Sequence, residues 1–382
     1  MCYRKCKIIP LIAVIAAMLS GCAGEGSVSE SESPGVTAAV TTSTPSPESV
    51  SETTTTAATE TTTTTTPPVT TLVTTSEPPE NDTYEMINNC ILAYEGTPQV
   101  RAIEPYYFNS ETGEHLISCV DSYAESVGED TNVWLMMIPS SQEFYTPEKI
   151  AGEYPSQLKC TQKVYEKLEK AEGVFVNDLL EEHKAEYLYS RSDYHWLPLA
   201  AFYSAKIFAE QADVPFAEFD TYEAVEREDY LGAFYVINNI TALEEFPDTF
   251  TYYKPANLDK CKCTMFNSWF SVGDESQLIH EDHSLGNSYQ MFIGTDDCIF
   301  MTETDTDNDR VLVIFKDSFG NALLPFLTSS FSEIYVCDYR YFNINSVDFA
   351  KMVGATDVLF ALGSASTTDE NKVGLIEQNM YN

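Results

Sequence analysis

Four short runs of uninterrupted apolar residues constrain the fold of this chain more than any other feature. They are Val133 to Ile138, Val311 to Phe315, Ile334-Tyr335-Val336 and Val358-Leu359-Phe360, and helical apolar spacing follows each of the first three. A strand that is apolar at every position, not at every second one, has both faces covered. Such strands alternating with helices predict an α/β chain with a mainly parallel sheet. Val174-Phe175-Val176 and Tyr187-Leu188-Tyr189 read as further strands, and helices are predicted from about Glu148 to Lys170, over Leu197 to Gln211 and from Phe319. The rhythm breaks between about 219 and 309. There Tyr, Phe, Asn, Asp and Thr dominate, and alternating pieces such as Thr249 to Tyr253 indicate a β-rich, mostly antiparallel insertion.

The first 80 residues carry a different signal. Arg4, Lys5 and Lys7 precede an apolar stretch, Ile8 to Leu19, that ends in Leu19-Ser20-Gly21-Cys22. A basic start, a short apolar run and small residues before a cysteine read as a signal peptide over residues 1–22. Its end resembles a bacterial lipobox, which makes Cys22 the expected lipidation site. Residues 23–80 are Ser, Thr, Pro and Glu with almost no large apolar side chain, the composition of a disordered stalk. The folded domain is therefore expected over 81–382, lipid-anchored at the extracellular face of a bacterial cell membrane. The net charge of −38 lies mostly in that domain. It argues against nucleic acid and anionic headgroups as partners and favours neutral or cationic ones. Seven cysteines follow Cys22, an odd number that cannot all pair within the chain.

Two strings carry the chemistry. Asp193-Tyr194-His195-Trp196 and Asp317-Ser318-Phe319-Gly320 each sit between a strand-like run and a helix-like run. Ligands of open parallel sheets bind beyond the carboxyl ends of the strands, so an acid, an imidazole and a hydroxyl could meet on one edge. The plainer alternative makes Asp317-Ser318 a helix cap and His195 a partly buried histidine. Ser140 and Ser141, also after a strand, are rival nucleophiles. Asp305 to Asp309 has calcium-loop spacing, yet Arg310 stands where glycine is needed and Lys316 where glutamate is needed, so it reads as an acidic turn. His280 and His283 lack a third ligand in view. No metal and no cofactor is expected.

The stretch Tyr189 to Ala200, which contains Asp193-Tyr194-His195-Trp196, resembles the signature of the bacterial DHHW proteins. Phe315 to Asn321, Cys337 to Phe342 and Met137 to Tyr145 are similar to the same family. These proteins resemble alginate O-acetyltransferases with an SGNH-hydrolase-like domain. The resemblance implies a flavodoxin-like, permuted three-layer sandwich in which Ser318 is the nucleophile, His195 the base and Asp193 its orienting acid. Asn321 and Arg340 would be polar support, for substrate or oxyanion. Two residues depart from the pattern: Tyr194 replaces the first histidine of the family name, and Lys316 replaces the glycine that precedes Asp-Ser in many SGNH enzymes. The implied function is O-acyl, chiefly acetyl, transfer or ester hydrolysis on a cell-surface polysaccharide or cell-wall glycan. A membrane-bound O-acyltransferase would be the acyl donor. The alternative is a catalytically inactive surface lipoprotein that binds glycan or a partner protein.

Overall fold

The computed structural model describes residues 82–382; the expected signal peptide, Cys22 lipidation site and stalk lie outside them. In chain order the strands are β1 (Tyr84–Ile87), β2 (Cys90–Ala93), β3 (Arg101–Ile103), β4 (Asn132–Ile138), β5 (Glu172–Gly173), β6 (Glu223–Tyr230) and β7 (Asp248–Lys254). They continue with β8 (Lys262–Asn267), β9 (Gly273–Ser276), β10 (Cys298–Glu303), β11 (Val311–Lys316), β12 (Glu333–Asp338) and β13 (Asp357–Gly363). Eight of them form one sheet in the order β5-β4-β13-β11-β12-β10-β8-β9. The first five are mutually parallel, and β10, β8 and β9 extend the sheet with antiparallel pairings.

The apolar runs become the sheet's centre because each has two faces to bury. Trp134, Met136, Ile138, Leu312, Ile314, Leu359 and Ala361 point into one core. Their strand neighbours Val133, Leu135, Met137, Val313, Phe315, Val358 and Phe360 point into the other. The helix Pro198–Gln211 covers the first face through Ala201, Ala205 and Phe208. The helices Ser110–Val127, Ser346–Met352 and Glu370–Asn379 cover the second. Each fully buried Leu, Ile, Val or Phe contributes about 1.5–3 kcal/mol, which drives these two-faced strands to the middle of the sheet.

Three expected elements differ. Tyr187-Leu188-Tyr189 is not a strand: Tyr187 sits in the left-handed region, and the segment makes a single bridge, Tyr189 to Trp196. Its tyrosines are engaged by their hydroxyls, Tyr189 donating to the Pro139 carbonyl at 2.7 Å and Tyr187 to Asp248. Of Val174-Phe175-Val176, only Val174 reaches the ladder, donating to the Leu135 carbonyl. The helix expected over Glu148 to Lys170 is split into Glu148–Ala151 and Gln157–Tyr165. Pro155 between them cannot donate a helical hydrogen bond, and Ser156 caps the second piece. The stretch from 219 to 309 is antiparallel in its strands, with β6–β7 a separate hairpin. All seven cysteines among the described residues are free, six of them buried.

Candidate active site

The site is assembled where the parallel strands end. After β11 the chain turns sharply at Asp317 into a short helical turn, Ser318–Leu323. Asp317 does the capping: its carboxylate accepts from the Phe319 N–H at 3.0 Å and from the Gly363 N–H at 2.8 Å. That ties the turn to the end of β13 and leaves the Ser318 hydroxyl, half-buried, free to face an imidazole.

His195 and Asp193 arrive on a loop, not at a strand end as the sequence suggests. Residues 190–197 cross from the Tyr187 turn to the helix at Pro198. A loop can hold two catalytic-type groups only if its backbone is pinned, and the pin is Asp248 at the start of β7. Its fully buried carboxylate accepts from Ser190 Oγ (2.7 Å), Ser192 Oγ (2.7 Å), the Ser192 N–H (2.9 Å), the Arg191 N–H (3.0 Å), Arg191 Nε (2.7 Å) and the Tyr187 hydroxyl.

On that platform His195 Nε2 lies 2.8 Å from Ser318 Oγ and its Nδ1 lies 2.7 Å from Asp193 Oδ1. An ionised carboxylate can only accept, so Nδ1 carries the proton and Nε2 is the acceptor for the serine hydroxyl. Asp193 Oδ1 also accepts the His195 N–H at 3.0 Å, while Oδ2 accepts from the Tyr230 hydroxyl (2.7 Å) and the Ala233 N–H (2.9 Å). Burial pushes the Asp193 carboxyl up, but the adjoining imidazole and these hydrogen bonds outweigh it and hold the carboxyl at about 2. Burial, then the Asp193 charge, pushes Tyr230 well up, so it remains a donor. The loop bearing Ala233 approaches through Gly232, where an added Cβ would stand 2.4 Å from Asp193 Oδ2. The imidazole is stacked on Tyr289, with centroids 3.8 Å apart and planes 6° from parallel. Tyr289 in turn is fixed by donating to the Phe319 carbonyl at 2.8 Å.

The depressed Asp193 value has a measurable consequence. A folded value below the unfolded one of about 3.9 means that the ionised carboxylate stabilises the fold above pH 4, and this contribution is lost as pH falls towards 2. The unfolding free-energy gap between wild type and Asp193→Asn is expected to be about 1 kcal/mol smaller at pH 3 than at pH 7. A gap that does not change with pH removes the claim.

Lys316 does not enter the site. Its side chain is fully buried, and Nζ bonds Asp296 at 2.7 Å and Asp338 at 2.9 Å. Burial opposes the ammonium, the two carboxylates outweigh burial, and its pKa rises. Asn321 belongs to the same buried cluster: Nδ2 donates to Asp296 at 3.1 Å, and Oδ1 has no partner among the described residues. Arg340 grips Asp338 with two nitrogens, at 2.7 and 2.5 Å. Its charge reaches Asp317 and Tyr194, which places it beside the site. Tyr194, in the position of the family's first histidine, packs its ring 4.2 Å from that of His195.

The remaining candidates lie apart. Ser140 and Ser141 meet no imidazole; the Ser140 hydroxyl accepts from Gln157 Nε2 at 2.9 Å. Arg310, in the calcium-like string, pairs with buried Asp357 at 2.7 Å. His280 and His283 have ring centroids 6.1 Å apart. The supporting residues Tyr230, Asp248 and Tyr289 have no signature in sequence, because each lies 37 to 94 positions from the group it serves, in the stretch where the α/β rhythm breaks.

The chain has relatives. The DHHW protein family model matches residues 99–337. The crystal structure of a DHHW family protein from Eubacterium siraeum is 34% identical, covers 78% of this chain and 98% of its own, and superposes with a TM-score of 0.73. Bacillus cereus PatB1, solved with a sulfonyl adduct, is 15% identical over 76% of this chain and 98% of its own, with a TM-score of 0.57, and shares the fold. The O-acetyltransferase domain of Pseudomonas putida AlgJ, at 11% identity over 76% and 96%, has a TM-score of 0.40. Comparison with curated proteins gives no match. With the family model spanning more than half of the sequence and a relative over a third identical across nearly its whole length, the chain belongs to the DHHW family.

Proposed function

We propose that the protein is a serine-dependent O-acyl transferase or esterase that acts on a neutral cell-surface glycan, acetyl being the group moved. The observation that carries this reading is the unbroken relay from Asp193 through His195 to Ser318, with the hydroxyl at the sheet's carboxyl edge. His195 Nε2 takes the Ser318 proton as Oγ attacks the acyl carbonyl, and the imidazolium then protonates the leaving oxygen. A sugar hydroxyl or water, deprotonated by the same imidazole, breaks the acyl-serine ester and restores the serine. Asp193 stays ionised throughout and stabilises the imidazolium. The Ser318 N–H, at the start of its helical turn, is the first candidate oxyanion donor.

A chain that only binds its partner would be favoured if Lys316, in place of the glycine before Asp-Ser, disturbed the site. That side chain is satisfied in the buried cluster, and the 2.8 Å contact of His195 with Ser318 favours chemistry. The strand order, with β13 between β4 and β11, is read as a permuted flavodoxin-like core. The basic and apolar start, Cys22 and the Ser/Thr/Pro-rich residues 23–80 support an extracellular, lipid-anchored location, and the acyl donor would be a membrane-bound O-acyltransferase, as the family resemblance implies.

A sulfonyl fluoride tests the nucleophile directly, and PatB1 with its sulfonyl adduct is the precedent of fold that motivates it. Treatment of the wild type should leave one sulfonyl group on the peptide containing Ser318, and Asp193→Asn should slow its formation. Label on Ser140 or Ser141, or none at Ser318 in folded protein, overturns the assignment.

A further inference from the structure

The register of the sheet sets out what flanks Ser318. One row of residues runs through Phe266, Ile299, Cys337, Phe315, Phe360 and Leu135 across six strands. Beyond that row, on the same edge, β11 leads to Ser318, β12 to Arg340 and Tyr341, and β8 to a turn bearing Trp269. In the other direction β13 leads to Ser364 and β4 to Ser140. With neighbouring strands about 4.8 Å apart, the turn after β8 stands about 14 Å from Ser318 and Ser140 about 10 Å on the opposite side.

Both flanks present exposed aromatic rings. Trp269 is 62% exposed, whereas the chain's two other tryptophans, Trp134 and Trp196, are buried. Its turn is built to project it: Asn267 Oδ1 accepts from the Trp269 and Ser271 N–H groups, and Phe270 takes φ +53° to place its ring 4.4 Å from that of Phe266. A bulky residue in the left-handed region carries strain that the anchoring contacts must hold. Asn343 bridges this turn to the next strand end, donating to Ser268 Oγ and to the carbonyl of half-exposed Tyr341. On the other flank is a cleft of about 450 Å³ lined by Glu104, Tyr106, Tyr107, Ser140, Ser364 and Asp369 among others. Tyr107 is 66% exposed, Glu104 lies close enough for its carboxyl to feel His195, and Gly363, next to Ser364, bonds the Asp317 cap.

We infer that the acyl acceptor is an extended chain of neutral sugars lying along this edge across Ser318, stacked on Tyr107 at one end and on Tyr341 and Trp269 at the other. Aromatic faces take the apolar C–H faces of pyranose rings, and hydroxyl and carboxylate groups beside them take sugar hydroxyls. The carboxylates of Asp369 and Glu370 disfavour uronates and phosphates, and no lysine or arginine lines the cleft itself, the Lys372 charge reaching Glu104, whose carboxyl burial pushes up. This inference rests on the proposed acyl-transfer reading, since it assigns that reaction's acceptor.

Its test separates binding from chemistry. In the Ser318→Ala protein, calorimetry with neutral β-linked glucose or N-acetylglucosamine oligosaccharides of increasing length should show affinity rising with length, and oligouronates should bind more weakly. Adding Trp269→Ala or Tyr107→Ala should weaken the long oligosaccharides about fivefold and the shortest ones little, and Trp269→Tyr should recover binding. Both side chains are exposed, so the melting temperature should stay at that of the parent and any loss reflects contact. Affinity independent of length, tighter binding of uronates, or long oligosaccharides unaffected by both substitutions overturns the inference. Length-dependent binding alongside full ester turnover by Ser318→Ala would sink the chemical reading and leave the acceptor track standing.

Discussion

Ser318→Ala is expected to lower turnover of an activated acetyl ester by about four orders of magnitude or more, which is what removing the nucleophile from an intact Ser-His-Asp relay costs. The loss should be almost purely chemical. Among the described residues the hydroxyl's one hydrogen bond is to His195 Nε2, and the turn around it is held by Asp317, Phe319 and Gly363. Removing one half-buried oxygen therefore leaves packing and melting temperature nearly unchanged. Substrate affinity should move far less than turnover, since the hydroxyl acts mainly in the transition state. Equal turnover by wild type and variant ends the assignment of Ser318, and with it the proposed mechanism.

The second large effect is predicted far from the reacting atoms. Asp248→Ala should cost about 3–5 kcal/mol of stability, because it strips six donors of their acceptor and leaves the largely buried Arg191 guanidinium without its ion-pair partner. The same loop carries Asp193 and His195, so turnover should fall with stability, even at temperatures where the variant is still folded. Asp248→Asn keeps one acceptor oxygen and should lie between the two. Denaturant midpoints measured beside ester turnover read both effects. A variant that unfolds like wild type would show that the loop is held by something else.

The comparison of these two residues shows where sequence reasoning reaches. Ser318 and His195 could be named from local strings, because each lies next to a strand or helix signal that has a physical cause. Asp248 could not. A lone aspartate in a stretch of Tyr, Phe and Thr has the same appearance whether it caps a turn, faces water or accepts six hydrogen bonds. Tyr230 and Tyr289 are hidden for the same reason, since one tyrosine among 23 has no periodicity to mark it. Lys316 is the reverse case. In sequence it reads as a departure that unsettles the oxyanion region, and in the fold it is a buried cation between Asp296 and Asp338.

The strand at Tyr187 to Tyr189 fails for a related cause. Three aromatic and aliphatic residues in a row fit a strand locally, but their hydroxyl partners, Pro139 and Asp248, come from distant segments and bend the chain into a loop. Local preference yields there to tertiary hydrogen bonds.

Sequence alone determined the α/β class and the two-faced central strands, and it offered Asp193, His195 and Ser318 as candidates for acyl chemistry. The first two rest on spacing within a few positions of the chain, where periodicity and capping act; the choice of the three residues rests on the resemblance of their strings to the DHHW signature. Only the tertiary structure decided that Asp193, His195 and Ser318 meet within 2.8 Å, that Asp248 holds their loop, and that the antiparallel strands extend the sheet to carry Trp269 onto the same edge. Those facts depend on contacts between residues tens to more than a hundred positions apart, and such contacts are set by how the elements pack.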